Sequence, residues 1–115
     1  MRTSKPAKLL RLHFGEADRY HGNSLYEAIV NRCKDLKIAG ATVFRGLEGY
    51  GETAEIHRHR LVKRDQPIVV TIVDAAENLA SLIPELEDMM DTGMIAISDV
   101  EYIRIEKQRA GETQE

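Results

Sequence analysis

The sequence predicts an α+β domain in which a four-stranded antiparallel sheet carries two helices on one face. Apolar residues alternate with period two at 8–14, two segments have apolar residues at helical spacing, and 66–73 is rich in β-branched residues. In chain order the elements form a βαββαβ series, which is the ferredoxin-like arrangement. We expect one domain over 1–107 and a flexible tail over 108–115.

The first strand is predicted over residues 8–14. Leu10, Leu12 and Phe14 share one face there, because side chains two residues apart point the same way in a strand. Residues 1–6 are interpreted as a frayed start.

The first helix is predicted to follow a polar connection in which His21 is a turn residue. Ser24 and Glu27 match a capping box, with serine as the cap and glutamate three residues later. Cys33 falls within the apolar stripe of this helix, so we interpret it as a core residue. Gly40 is placed to end the helix.

The second half of the chain supplies two strands, a helix and a last strand. One strand begins at 41–44, and the strand at 66–73 is apolar on both faces, which is typical of a central strand. Asp74 is predicted to cap the second helix, and Pro84 to kink it. The last strand is expected within 95–106.

Two helices on one side leave the other face of the sheet without a cover. Val69, Thr71, Val73 and His13 are candidates for that face. An apolar sheet face of this kind is commonly covered by a second copy of the chain, so we expect an oligomer.

Composition narrows the classes of function. The net charge of −3 argues against a general nucleic-acid binder, and no apolar run approaches the ~18 residues of a membrane span. The N-terminus lacks the apolar core of a signal peptide, and a lone cysteine suits a reducing compartment. We therefore expect a cytoplasmic protein that is not embedded in a membrane.

Charge is distributed unevenly along the chain. Residues 65–103 contain nine acidic residues and neither lysine nor arginine, whereas thirteen of the sixteen lysines and arginines lie at or before Arg64. This asymmetry favours self-association or an anionic ligand at the basic end.

Glycine is most frequent between Gly40 and Gly51, directly before a basic loop. Such a backbone could wrap an anion with its N–H groups, or the glycines could simply permit a bulge and a bend. Neither a Walker loop nor a strand–GxGxxG–helix motif is present, so the standard nucleotide motifs do not apply.

The loop over 52–65 carries two histidines among basic residues. His57 and His59 could share a metal with Glu55, and His13 and His21 would be spare ligands, although the flanking arginines oppose a cation. We therefore interpret the loop mainly as a partner-binding element. Its candidate residues are His57, Arg58, His59, Arg60, Lys63 and Arg64. Spacing indicates no catalytic group, so we do not expect an enzyme.

These segments together closely resemble the PII-like family known as domain-of-unknown-function family 190. The resemblance covers about residues 8–106 and is carried by 15–22, 25–30, 40–51 and 98–101. More loosely, the chain resembles the PII signalling proteins, which are trimers of ferredoxin-like subunits. They bind adenine nucleotides in clefts between subunits and contact transporters or enzymes through a loop after the second strand.

The PII resemblance implies a homotrimer, an adenine nucleotide or other small anion as ligand, and a transporter or enzyme as partner. Gly49 and Gly51 resemble the glycines at the base of the PII loop, and Thr92-Gly93 resembles a nucleotide-contacting Thr-Gly. The predicted ligand-binding set is Arg45, Gly46, Gly49, Tyr50, Gly51, Thr92 and Gly93.

Two departures from the PII pattern argue against a nucleoside triphosphate as the ligand. Glu52 stands where PII proteins have arginine, and 94–99 lacks their basic phosphate cradle, so the main triphosphate ligands are absent. A nucleotide with fewer phosphates, another anion and no small ligand all stay open. The first hypothesis is a trimeric regulatory protein, and the alternative is a metal-binding trimer that uses His57 and His59.

Overall fold

The structure is a computed structural model that describes residues 4–49 and 65–107. The tail predicted at 108–115 lies outside that part of the chain. The elements in chain order are β1 (Ser4–Gly15), β2 (Arg19–Tyr20), β3 (Asn23–Ser24), α1 (Leu25–Asp35), β4 (Ala41–Arg45), β5 (Pro67–Asp74), α2 (Ala76–Met89) and β6 (Met94–Ile103).

The main sheet confirms the predicted topology. Its strand order is β4-β5-β1-β6, and every neighbouring pair is antiparallel. In the centre, Leu12 pairs with Val70 on β5 and with Ile95 on β6. Apart from the short pair β2 and β3, the elements therefore follow the ferredoxin-like βαββαβ order.

The core lies between this sheet and the two helices. Leu10, Leu12 and Phe14 are buried there, which confirms the face predicted for the first strand. Strand β5 contributes its alternate residues, and Arg32 of α1 forms an ion pair with Glu85 of α2. The other buried residues of the core are Leu25, Ile29, Cys33, Ile68, Val70, Ile72, Leu79, Leu82, Leu86 and Met89.

Strand β1 begins earlier than its sequence pattern predicts. Residues 4–6 were expected to fray, but Ser4 pairs with Ile103 and Lys5 with Tyr102. The expectation was wrong for these residues because backbone hydrogen bonds to β6 extend a strand beyond its apolar alternation.

Both predicted helix caps are only partly correct. Ser24 is the N-cap of α1, but its side chain makes no cap hydrogen bond. The N-cap of α2 is Ala75 and not Asp74, which is the last residue of β5. Asp74 nevertheless accepts hydrogen bonds from the backbone N–H of Ala75 at 2.7 Å and from Nδ2 of Asn78 at 3.0 Å.

The helix ends also differ from expectation. Helix α1 ends at Asp35, and Lys37 takes a positive φ of 60°, so Gly40 does not end the helix. Helix α2 continues through Pro84 to Met89. Across residues 4–49 and 65–107, neither helix combines the length and the apolar character that crossing a membrane requires.

A small hairpin replaces part of the connection expected over 15–22. His21 and Gly22 form its turn with φ values of 51° and 85°, and two consecutive positive φ values are typical of a type I′ turn. The rings of Tyr20 and His21 stack with centroids 4.0 Å apart. His21 is thus confirmed as a turn residue.

Candidate functional site

The predicted ligand-binding residues gather at one end of the main sheet. Because neighbouring strands are antiparallel, the carboxyl ends of β1 and β4 lie beside the amino ends of β5 and β6. Arg45 is the last residue of β4, and Gly46 and Gly49 come after it. Thr92 and Gly93 precede β6. Tyr50 and Gly51, the other two predicted ligand residues, lie outside the described part of the chain.

Gly46 and Gly49 both pack against Pro67 at the start of β5. The backbone N–H of Gly46 donates to the carbonyl oxygen of Pro67 at 2.7 Å. A Cβ atom would lie 2.9 Å from Cγ of Pro67 if built on Gly46, and 3.1 Å if built on Gly49. Close approach to the proline ring is therefore sufficient reason for glycine at both positions.

Gly93 is required by its backbone conformation and by its neighbours. Its φ is +131°, and a Cβ atom there would lie 2.5 Å from the carbonyl oxygen of His13 and 2.9 Å from Cε of Met90. Half-buried Thr92 precedes it. The Thr-Gly segment is thus fixed against the end of β1.

Although the predicted ligand residues share one end of the sheet, they lie on its two opposite edge strands, Arg45 on β4 and Gly93 before β6. Arg45 pairs with Ile68, which pairs with Phe14, and the adjacent pair joins His13 to Met94. Three strand spacings separate β4 from β6, which is roughly 14 Å. One phosphate group therefore cannot bridge the backbones of Arg45 and Gly93 of the same chain.

A turn at the end of β1 adds acidic residues that the predicted site lacks. Nη2 of Arg45 donates to Oε2 of Glu16 at 2.5 Å. Within the turn, the N–H of Gly15 donates to Oδ2 of Asp18 at 3.1 Å, and the N–H of Ala17 donates to Oδ1 of Asp65 at 2.9 Å. The chain's own carboxylates therefore occupy these donors.

Glu16 lies in segment 15–22, which carries the family resemblance, but the sequence pattern assigns it no role. A usable signal was present, because Glu16 directly follows β1 and Arg45 ends β4. In a βαββαβ order the carboxyl ends of those two strands lie at the same end of the sheet. Arg45 was thus predicted as a ligand residue without its acidic neighbour.

The face opposite the helices carries both apolar and polar residues. Val69, Thr71 and Val73 lie there as expected, and His13 lies between Val69 and Met94. At its margins the side chains of Phe44 and Met94 are 55% and 54% exposed. We call this surface the open face; it comprises Leu9, Arg11, His13, Thr42, Phe44, Val69, Thr71, Val73, Met94, Ala96 and Ser98.

The described residues offer no metal site. Across 4–49 and 65–107, no three His, Cys, Asp or Glu side chains are grouped so that they could hold a metal ion. The partner-binding candidates at 57–64, including His57 and His59, lie outside these ranges. Cys33 is buried in the core, and burial raises the pKa of its thiol to about 11, so the thiol is protonated at neutral pH.

Solved structures define the class of fold. The apo form of CPII from Thiomonas intermedia K12, a nitrogen regulatory PII-like protein, has a TM-score of 0.64 at 16% identity and covers 91% of this chain and 100% of its own. CPII bound to ADP, AMP and bicarbonate gives a TM-score of 0.63 at 16% identity, covering 87% and 98%. The fold is therefore that of the PII-like proteins.

Sequence comparison then shows the family. The family model described as an uncharacterized ACR, domain-of-unknown-function family 190, matches residues 7–102, and the chain belongs to this family. A UPF0166 protein of Aquifex aeolicus is 37% identical over 98 residues, covering 84% of this chain and 92% of that protein. A UPF0166 protein of Methanocaldococcus jannaschii is 34% identical over 96 residues, covering 81% and 88%.

Proposed function

We propose that this protein is a PII-like regulatory trimer that binds a small anion in clefts between its subunits. The ligand would be a bicarbonate-like anion or an adenine nucleotide with one or two phosphates. The proposed role is regulatory and not catalytic. In support, the single cysteine is buried and protonated at neutral pH, so it is a poor nucleophile.

The position of Arg45 relative to Gly93 carries this proposal. Both lie at the same end of the sheet but on opposite edges of it, roughly 14 Å apart at the backbone. An anion as small as bicarbonate is too short to bridge these two backbones, so a neighbouring copy that supplies one of the two residues would bring both kinds of residue to it. A cleft between subunits meets that requirement.

The open face supports a second copy as the neighbour. Strands β1 and β5 place Leu9, Val69 and Val73 on it, on either side of the central pair Arg11 and Thr71. Exposed Phe44 and Met94 extend it to both edges. Covering apolar area of this kind with another apolar surface is favourable by about 25 cal/mol per Å². A cyclic trimer would bring the three open faces together.

The ligand class comes from the solved PII-like proteins and from local charge. CPII has been solved with ADP, AMP and bicarbonate, and also with ADP, AMP and acetate. In this chain the predicted ligand set contains one cation, Arg45, and no basic cradle follows Gly93. One guanidinium suits a ligand with little negative charge better than a triphosphate.

The partner is proposed from the PII resemblance alone. The basic loop over 52–65 would contact a membrane transporter or an enzyme, and ligand binding would shift the population of its partner-binding state. Residues 52–64 of this loop lie outside the described part of the chain, so this part of the proposal rests on their sequence.

Light scattering after size exclusion tests the oligomer. We expect wild type to have three times the 13.0 kDa mass of one chain. Phe44→Asp should shift the mass toward the monomer, because it places a charge on the open face. Ile105→Asp is the matched control, since Ile105 is 79% exposed and lies outside that face. Assembly depends on concentration, so the protein should be measured at about 100 μM, where a weak trimer would still form. A wild type that is monomeric there would contradict the trimer.

Thermal melts test the ligand. ADP, AMP and bicarbonate should each be compared with adenosine, which carries no negative charge, at constant ionic strength. A ligand that binds only the folded protein raises the melting temperature. Arg45→Gln should reduce the rise. If none of the anions raises the melting temperature of wild type, the ligand part of the proposal is wrong.

A further inference from the structure

Arg45 already has an acidic partner inside its own chain. Its Nη2 donates to Oε2 of Glu16 at 2.5 Å, and this hydrogen bond raises the pKa of the guanidinium. Arg45 is also the only cation in the predicted ligand set. An anion that binds this guanidinium through Nη2 therefore competes with the Glu16 carboxylate.

Glu16 is the better fixed member of the pair. Its side chain is 25% exposed, against 57% for Arg45. The backbone N–H of Glu16 donates to the carbonyl oxygen of Gln66 at 2.8 Å, and the N–H of Ala17 donates to Asp65 at 2.9 Å. The turn that carries Glu16 is thus bound to the start of β5, whereas the long side chain of Arg45 can change its direction.

We propose that Glu16 is an internal competitor for the anionic ligand. Its carboxylate occupies Arg45 when no ligand is bound, and an oxyanion such as a carboxylate, bicarbonate or phosphate group binds by taking Arg45 from it. The inference rests on the proposed function, because it takes the Arg45 end of the sheet as the anion site.

Competition of this kind lowers affinity without setting selectivity. Every oxyanion that takes Arg45 breaks the same hydrogen bond to Glu16, so the cost is the same for bicarbonate and for a phosphate group. Selectivity between the two comes from their own charge, because a phosphate group with two charges attracts the guanidinium more strongly at the same distance.

The expected effect is modest because the pair is exposed to solvent. Exposed ion pairs are weak, so neutralising Glu16 should raise the affinity for an anion about two- to fivefold. Glu16→Gln is the suitable change, since it retains the shape of the side chain and the backbone hydrogen bond to Gln66.

Titration calorimetry with ADP and with bicarbonate, at constant ionic strength, tests the inference. Asp99→Asn is the matched control, because Asp99 pairs with Lys8 at 2.6 Å toward the opposite end of β1. It changes the net charge by the same amount without affecting Arg45. The double variant Glu16→Gln with Arg45→Gln shows whether any gain depends on the guanidinium.

Supporting results are a gain of about two- to fivefold in Glu16→Gln, no comparable gain in Asp99→Asn, and loss of the gain in the double variant. Equal affinity of wild type and Glu16→Gln for both probes would overturn the competitor while leaving the proposed function intact. If neither probe binds wild type or any variant, both the proposed function and the competitor are refuted. Binding only in Glu16→Gln would support both.

Discussion

The carbonyl oxygen of His13 lies 2.5 Å from the position that a Cβ atom on Gly93 would occupy. The two residues are far apart in the sequence but adjacent in the sheet, because His13 pairs with Met94. The turn before β6 therefore lies directly against the end of β1, with no room for a side chain at Gly93. The same turn carries the Thr-Gly segment of the predicted ligand site.

Gly93→Ala should destabilise the protein by at least about 2 kcal/mol, because it combines a positive φ with a clash against backbone. Gly40→Ala is the control, since no atom lies within 4 Å of its Cβ position. Urea unfolding measures both variants. Equal stability of Gly93→Ala and wild type would show that the turn relaxes without cost.

Gly46→Ala should cost about 1–2 kcal/mol, because its Cβ would lie 2.9 Å from Cγ of Pro67. The cost should fall when Pro67→Ala removes that atom. A double-mutant cycle of unfolding free energies measures this coupling. Additive effects of the two changes would refute the packing explanation for Gly46.

Asp74 joins three segments through its carboxylate. It accepts hydrogen bonds from the N–H of Ala39 at 2.9 Å, from the N–H of Ala75 and from Asn78. Partial burial acts to raise the pKa of Asp74, but the hydrogen bonds outweigh it, so the pKa lies below its ordinary value of 3.8.

Asp74→Asn should therefore lower the stability at pH 7 by about 1–2 kcal/mol. A carboxylate with a lowered folded-state pKa stabilises fully above its unfolded pKa, and this contribution is lost as the pH falls through the folded pKa. The difference from wild type should thus shrink below pH 3.8. Asp88→Asn, at an exposed position on α2, is the control, and unfolding at several pH values is the measurement. A difference that does not depend on pH would contradict a role for the charge.

Cys33 should react slowly with thiol reagents in the folded protein. Burial raises the pKa of its thiol from 9.0 to about 11, which lowers the thiolate fraction at pH 8 about a hundredfold. Labelling with a disulfide reagent measures the rate, and the same reaction in guanidinium chloride is the reference. Rapid, complete labelling of the native protein would show that the first helix opens readily.

Much of the fold could be predicted because its signals are local. Alternating apolar residues in β1 and helical spacing in α1 depend only on neighbours in the chain, and they indicate which face of each element is buried. The hairpin at His21 was missed because its residues lack apolar alternation. The start of β1 was missed because pairing between Ser4 and Ile103 is a long-range interaction.

The sequence by itself determined the order of the main elements, the apolar faces of β1 and α1, the family and the residue types available for binding. Only the tertiary structure decided which of those residues meet. It placed Arg45 beside Glu16, Gly46 against Pro67 and Gly93 against His13. The physical reason is that strand register sets these contacts, and register depends on hydrogen bonds between segments that are distant in the chain.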